Sequence, residues 1–288
     1  MAPNLAHDPG SGLGASWESA VCGGGARILE RMPPRVPRRV TVVATERLTP
    51  NMVRVVFGGP GLDGFSAGEF TDHYVKLQLP DPRDAGRTRT RTYTVREWDP
   101  ERRELTLDFV VHGTTGVAGP WAVAAQPGDE IDLLGPGGAY TPDPDADWHL
   151  LAGDASVIPA ISASLRRIPE GVPVQVVLEV DDAAEEQNLQ TPGALDLRWL
   201  HRSAPPGEEP ELLADALRTL KPLAGRGQVF VHGEASSVRA VRRYLATERD
   251  VDPETMSASG YWKLKRTEEG WRADKAEWKR LAEADLAT

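Results

Sequence analysis

The chain has 288 residues, of which 40% are hydrophobic and 26% are charged, and its formal net charge at pH 7 is -10. This is the composition of a globular protein long enough for two domains, and the acidity argues against a nucleic-acid partner, because nucleic-acid binders present a basic face. The single cysteine, Cys22, excludes a disulfide framework and a thiolate-ligated iron–sulfur cluster, so redox chemistry would need an organic cofactor.

The amino-terminal segment, residues 1–34, is rich in glycine and has little hydrophobic periodicity, so we expect a flexible leader. It lacks the basic and apolar regions of a signal peptide, and no run in the chain approaches the roughly 20 apolar residues that span a bilayer. We therefore expect a cytoplasmic protein without membrane insertion, and we take a monomer as the default oligomeric state.

Six short β-rich segments separated by turn residues follow, between Val36 and Leu134. They are VTVVATERL, MVRVVFGG, HYVKLQLP, TRTYTVREW, ELTLDFVVHG and DEIDLLG. This spacing predicts a six-stranded antiparallel barrel in a domain covering residues 35–143, in which only GPWAVAA is typical of a helix.

After the acidic linker TPDPDAD, strand patterns alternate with helix patterns. The strands are WHLLAG, VQVVLEV, LDLRWLH and QVFVHG, and the helices are SVIPAISASLRRI, PELLADALRTL and SSVRAVRRYLATE. The alternation predicts a parallel sheet in an α/β domain covering residues 144–256. We expect residues 257–288 to be an extension that ends in an amphipathic helix with Trp271 and Trp278.

Arg91, Tyr93 and Thr94 lie on one predicted strand, in the segment RTYT. A cation, a flat ring and a hydroxyl suit a flavin, because they can neutralise phosphate, stack on the isoalloxazine ring and hydrogen-bond near its reactive edge. Alternating arginine and threonine are also typical of the solvent face of an ordinary strand. The turn that follows favours the flavin site.

That turn is the glycine-rich segment VVHGTTGVAGPWA, from Val110 to Ala122, which leads into a short predicted helix. Backbone N–H groups at a helix start favour a pyrophosphate, and glycines let a ligand approach closely. An ordinary capped helix would have the same pattern. A flavin-type strand followed by such a turn indicates FAD.

Two more turns, LAGDAS and VHGEAS, each follow a predicted buried strand and precede a helix. Neither is a GxGxxG motif, and each is equally compatible with a simple N-cap such as Asp154 or Ser156. Two such turns at one edge of a parallel sheet favour a nucleotide site. The six histidines have no metal-ligand spacing and no G-x-S-x-G motif occurs, so we predict neither a metal centre nor a serine hydrolase.

Seven motifs in this order make the chain resemble the siderophore-interacting proteins, which are flavin-dependent ferric-siderophore reductases built like ferredoxin-NADP reductase. The motifs are HYVKLQLP, RTYTVR, DFVVHG with GVAGPWA, PGDEIDLLGPGG, HLLAGDASVIPAI, VHGEASSVRAVRRYL and SGYWKLKRTEEGW. The resemblance implies a six-stranded antiparallel FAD-binding barrel followed by a parallel-sheet NAD(P)H-binding domain. It also implies that hydride passes from NAD(P)H to FAD, and that single electrons then reduce a ferric siderophore and release ferrous iron.

The resemblance assigns residues to the cofactors. Those on the FAD and nicotinamide side are Arg91, Thr92, Tyr93, Thr94, Asp108, Val110, His112, Gly113, Val117, Ala118, Gly119, Trp121, Asp154, Ser156 and Ile158, and those on the NAD(P)H side are Gly233, Glu234 and Ala235. The chain departs from the family pattern at Ala155, where glutamate is usual, at Ser156, where threonine is usual, and at Gly119-Pro120, where a serine and a variable residue are common.

An anionic ferric chelate needs a local positive pocket on a protein with a net charge of -10, within a Debye length of about 8–10 Å. Our candidates for this pocket are Lys76, Lys263, Lys265 and Arg266. Exposed lysines that only favour solubility would produce the same sequence pattern.

Other functions fit the same motifs. The scaffold also suits a general NAD(P)H:flavin oxidoreductase, the reductase component of an oxygenase, or a flavin-containing siderophore-binding protein without catalysis. A ferredoxin is an alternative electron donor. The sequence does not decide between NADH and NADPH, and Arg202 and Arg239 are the candidates for binding a 2′-phosphate.

Overall fold

The computed structural model describes residues 36–113 and 116–286. The predicted leader, Cys22 and two residues of the predicted phosphate turn, Thr114 and Thr115, lie outside the described residues.

Six antiparallel strands close into a barrel in the order β1-β2-β5-β4-β3-β6. They are β1 (Arg38–Thr49), β2 (Met52–Gly58), β3 (Tyr74–Asp81), β4 (Asp84–Asp99), β5 (Glu104–Val110) and β6 (Glu130–Gly137), with helix α1 (Ala118–Ala124) between the last two. Their alternating side chains fill the interior. Along β3, Val75, Leu77 and Leu79 are fully buried, whereas the residues between them are partly exposed.

Five parallel strands form the sheet of the second half, in the order β11-β10-β7-β8-β9. They are β7 (Trp148–Asp154), β8 (Pro173–Val180), β9 (Ala194–His201), β10 (Gly227–Glu234) and β11 (Met256–Trp262). The helices are α2 (Ile158–Leu165), α3 (Leu212–Arg218), α4 (Ala235–Glu248) and α5 (Glu268–Ala284), and 3₁₀ turns cover Pro60–Leu62, Ala155–Val157, Ala183–Glu185 and Pro253–Thr255.

The predicted fold class, an antiparallel barrel followed by a parallel sheet as in ferredoxin-NADP reductase, is confirmed. One difference concerns the expected boundary after residue 256, which falls inside β11. This strand pairs in parallel with β10, so the segment is part of the sheet rather than an appendage to it. Its sequence, MSASGYW, has small residues where buried strands usually have branched ones, and only its pairing with β10 reveals it.

The barrel and the sheet are joined by hydrogen bonds between the β1–β2 turn and the loop after β8. Thr49 Oγ1 donates to Glu185 Oε2 over 2.5 Å, and the Asn51 backbone N–H donates to Glu185 Oε1 over 2.9 Å. The Asn51 side chain also donates to Asp181 Oδ2 over 2.7 Å. These bonds fix the loop after β8 relative to the barrel. Within residues 36–113 and 116–286, no helix has the length and apolar character needed to cross a bilayer.

Candidate functional site

The strand that carries the predicted flavin residues, β4, lies beside the end of β11. Tyr93 packs on Phe109 of the barrel core, with ring centroids 4.2 Å apart. Thr94 is buried, and its side chain lies beside the phenol of Tyr261 on β11, whose pKa is raised by burial and lowered in part by Thr94. The structure thus brings the predicted flavin strand and the carboxyl edge of the parallel sheet together at one contact.

Arg91 lies against the first turn of α5. Its side chain is only 15% exposed, and Nη1 is 2.8 Å from Glu269 Oε1 while Nε is 3.6 Å from Glu268 Oε2. The hydrogen bond from Arg91 lowers the pKa of Glu269, whereas burial raises the pKa of Glu268. Sequence reasoning missed this pairing. The available signal was two acidic residues directly after the N-cap Thr267, where the helix dipole favours them.

The predicted phosphate turn lies at the end of β5. His112 and Gly113 are exposed, and Gly113 and Gly116 have φ angles of 58° and 93°, with nothing within 4 Å of the position where a Cβ would lie. Their backbone is therefore open to a ligand. Val117 is the N-cap of α1, and Trp121 on that helix stacks on Phe57, with ring centroids 6.1 Å apart.

Three other residues of this predicted set pack against other parts of the fold. Ala118 is buried in the barrel core, Gly119 lies in the first turn of α1 against the Val111 backbone, and Val110 packs against the core of the second half.

Asp108, also predicted to bind a cofactor, lies in an ion-pair network. Its fully buried carboxylate accepts bonds of 2.7 and 2.9 Å from Arg54 and lies 3.3 Å from Arg96. Burial lowers the pKa of Arg96 to about 10. Both carboxylate oxygens already have cationic partners, which favours a structural role. The partners come from other parts of the chain, so no local pattern indicates them.

Asp154 closes β7 and connects three strands. Its carboxylate accepts hydrogen bonds from the Ser156 backbone at 2.8 Å, the Ser156 hydroxyl at 2.5 Å, the Glu234 backbone at 2.7 Å and the Trp262 indole at 2.9 Å. The next helix begins at Ile158, which is fully buried. The predicted turn residues of β7 and β10 are therefore neighbours, as the nucleotide hypothesis requires.

Glu234 is the N-cap of α4 at the end of β10. Its carboxylate accepts from the Ser237 backbone at 3.1 Å and from the Leu264 backbone at 3.1 Å. A Cβ at Gly233 would lie 2.6 Å from Asp154 Oδ2, so only glycine fits there. Ala235, the third predicted residue, is fully buried.

His232 on β10 adds a neutral ring to this edge. It is stacked on Phe230 with centroids 3.9 Å apart, and burial lowers its pKa to about 3. The ring therefore carries no charge at neutral pH.

The four cations predicted to bind the substrate have different surroundings. Lys263 Nζ is 3.7 Å from Glu234 and contacts the Ser236 hydroxyl, and Arg266 is 2.8 Å from Asp274. Lys265 is exposed.

Lys76, the fourth cation, is paired with Thr92 between β3 and β4, and Tyr74, two residues earlier on β3, is paired with Thr94. Two residues span about 7 Å along a strand, so Lys76 lies near the contact of Thr94 with Tyr261.

The residues around β4 fit a flavin dinucleotide. A mostly buried arginine, a ring supported from behind by Phe109, a buried threonine hydroxyl and an open glycine backbone are the donors and surfaces that FAD needs. The carboxyl edge of the sheet meets them through Tyr261, which is where a pyridine nucleotide would have to bring its nicotinamide.

Known proteins resemble this chain along most of its length. A family model described as siderophore-interacting protein matches residues 146–265, and one described as siderophore-interacting FAD-binding domain matches residues 41–87 and 82–140. The ferric vibriobactin reductase ViuB of Vibrio cholerae is 34% identical, over 83% of this chain and 94% of its own. The NADPH-dependent ferric-chelate reductase of Escherichia coli is 30% identical, over 81% of this chain and 98% of its own. The crystal structure of a siderophore utilization protein from T. fusca is 37% identical and covers 82% of this chain and 96% of its own, with a TM-score of 0.74.

We predict that Asp154→Asn lowers the free energy of unfolding by about 1–3 kcal/mol, because the new amide nitrogen would face N–H donors and leave them unpaired. Ser156→Ala removes only one hydroxyl donor and should cost about 1 kcal/mol or less. Urea denaturation followed by circular dichroism measures both. Equal losses in the two variants would contradict the assignment of Asp154 as the common acceptor.

Proposed function

Because the chain belongs to the siderophore-interacting protein family, we propose that it reduces ferric siderophores with electrons from NADH or NADPH that pass through bound FAD. The contact of β4 with β11 and α5 is the observation that carries this proposal, since Arg91 of the flavin-type strand lies 2.8 Å from Glu269 and Thr94 lies beside Tyr261 at the nucleotide-type sheet edge. In this proposal residues 35–143 bind FAD, residues 144–256 bind the nucleotide, and β11 and α5 contact the flavin strand through Tyr261 and Glu269. The named reductases among its relatives support the enzyme class.

The chemistry needs a cofactor that links two-electron and one-electron steps. FAD, when bound, supplies that link between hydride transfer and single-electron transfer. Arg91 would provide the positive charge for the cofactor phosphates, and it would share that charge with Glu268 and Glu269. Tyr93 would cover one face of the isoalloxazine ring, and the Thr94 hydroxyl would hydrogen-bond at the edge of that ring nearest Tyr261.

Ferric iron is the substrate metal and arrives inside its chelate. It is a hard ion that siderophore oxygens hold tightly, and ferrous iron is held more weakly, so reduction itself releases the metal. The protein then needs a surface that attracts the chelate and brings it to the flavin edge. Lys76 and Lys263 are our candidates, supported by the short separation of Lys76 from the Thr94–Tyr261 contact.

The first test is an anaerobic absorption experiment on the purified protein reconstituted with FAD. We expect a bound-flavin spectrum that bleaches when NADH or NADPH is added, and that recovers as ferrous iron appears after a ferric siderophore and a ferrous trap are added. A protein that binds no FAD would contradict the whole proposal. Bleaching without iron reduction would indicate a different electron acceptor, and bound flavin that no nucleotide reduces would indicate a binding protein.

The flavin assignment predicts that Arg91→Ala weakens FAD binding at least about tenfold, because a hydrogen bond to a charged group contributes about 1.5–3 kcal/mol. Arg89→Ala is the matched control: it removes the same charge two residues earlier on β4, from a side chain that lies 2.7 Å from Asp81 and 3.8 Å from Glu269. Its FAD dissociation constant should change less than about threefold. Titration calorimetry with FAD measures both, and equal losses would count against Arg91 as the phosphate residue.

The substrate assignment predicts that replacing Lys76 and Lys263 together by alanine raises KM for an anionic ferric siderophore roughly three- to tenfold, with little change in flavin reduction by the nucleotide. The effect should shrink in high salt, which screens exposed charges. Lys221→Ala with Lys279→Ala removes two exposed lysines elsewhere and should leave KM unchanged. An unchanged KM in the Lys76 and Lys263 double variant would contradict the assignment of these two lysines to the substrate pocket.

A further inference from the structure

The carboxyl ends of β8 and β9 carry a closed cluster of charges. Arg202, directly after β9, has a side chain only 5% exposed. Its Nη1 is 3.3 Å from Glu179 Oε1 on β8, and its Nη2 contacts Asp181 Oδ1 in the following loop. Arg202 is one of the two arginines predicted as candidates for binding a 2′-phosphate. In the structure it already has two carboxylate partners.

We infer that this cluster selects NADH over NADPH as the electron donor, an inference that rests on the proposed function. The nicotinamide would bind near Tyr261 on β11, because that residue meets the flavin strand at Thr94. In the observed strand order, β9 is the far edge of the sheet from β11, about 19 Å away at the usual strand spacing. A dinucleotide laid along the carboxyl edge therefore brings its adenosine ribose to β8 and β9.

The segment after β9 offers the donors that a phosphate would use, but Glu209 occupies them. Its carboxylate accepts from the Ser203 backbone at 3.2 Å, the Ser203 hydroxyl at 2.8 Å and the Ala204 backbone at 3.2 Å. The chain thus supplies its own anion to these donors. A 2′-phosphate would have to displace that carboxylate or bind beside it.

The electrostatics of this edge oppose another anion. Burial and the nearby Asp154 carboxylate raise the pKa of Glu179 to about 7, even though Arg202 is its partner. A phosphate monoester would add a charge of about -1.5 to -2 at neutral pH. A ribose 2′-hydroxyl is neutral and can donate to a carboxylate, the arrangement that acidic residues at a strand end provide for NAD.

The second arginine candidate agrees with a neutral ribose. Arg239, the other 2′-phosphate candidate, is paired with Asp285, with Nη2 2.6 Å from Oδ1. The E. coli relative is named for NADPH, so the inference distinguishes this chain from that protein.

The test measures adenosine-end binding separately from catalysis. On the FAD-loaded protein, titration calorimetry with ADP-ribose and 2′-phospho-ADP-ribose should give at least about tenfold tighter binding of ADP-ribose, and kcat/KM for flavin reduction should favour NADH by a similar factor. Equal or tighter binding of the phosphorylated fragment would overturn the inference, as would failure of both fragments to bind. If ADP-ribose binds preferentially but no nucleotide reduces the flavin, the proposed function fails, whereas the preference of this site for a ribose without the 2′-phosphate stands.

Variants locate the selectivity. Asp181→Asn combined with Glu209→Gln should narrow the preference for ADP-ribose over its 2′-phosphate roughly three- to tenfold, because two like charges are removed. Asp196→Asn removes one carboxylate near the amino end of β9, about 17 Å along the strand and beyond a Debye length, so it should leave the ratio unchanged. The same ratio in the double variant and in this control would overturn the assignment.

Discussion

The carboxylate of Asp154 holds the carboxyl edge of the parallel sheet together. It accepts from Ser156, from the Glu234 backbone and from the Trp262 indole, so one buried charge connects β7, β10 and β11. A buried carboxylate is stable only when hydrogen bonds replace its lost hydration. The close packing around this carboxylate also requires glycine in the residues beside it. A Cβ at Gly153 would lie 2.1 Å from the His232 carbonyl oxygen, so the AGD turn needs glycine at this position.

The position of the flavin strand relative to the sheet depends on this arrangement. Because Asp154 holds Trp262, the preceding residue Tyr261 is held against Thr94 of β4. Arg91 on the same strand is held by Glu268 and Glu269 of α5, which follows β11 in the chain. The carboxyl-terminal segment thus contacts both the ring side and the phosphate side of the proposed flavin site. It therefore packs against β4 of the barrel as well as against β10 of the sheet.

The fold could be predicted from local periodicity, because the spacing of apolar residues that marks a strand or a helix lies within each segment. The alternation along Val75, Leu77 and Leu79 marks a barrel strand without reference to any partner. Long-range pairs have no such signature: Arg91 and Glu269 are 178 residues apart, and nothing in either neighbourhood indicates the other. For the same reason the sequence could place Arg202 at a strand end but could not show that Glu179 and Asp181 already neutralise it.

The pattern of ion pairs explains how an acidic protein could bind two anionic ligands, the proposed nucleotide and the proposed ferric chelate. Its net charge of -10 repels any anion at long range, but this field is screened beyond about 8–10 Å, so binding depends on the charges that lie within that distance of the ligand. Arg202 and Arg239 each have carboxylate partners, and the edge around Arg202 presents no net positive charge to a phosphate. Lys265 is exposed beside the β11 end, and Lys263 has one carboxylate partner at 3.7 Å. In the proposed sites, the adenosine end would therefore meet two carboxylates around Arg202, whereas the chelate would meet Lys263 with one, so discrimination at the two ends can have opposite signs within one acidic protein.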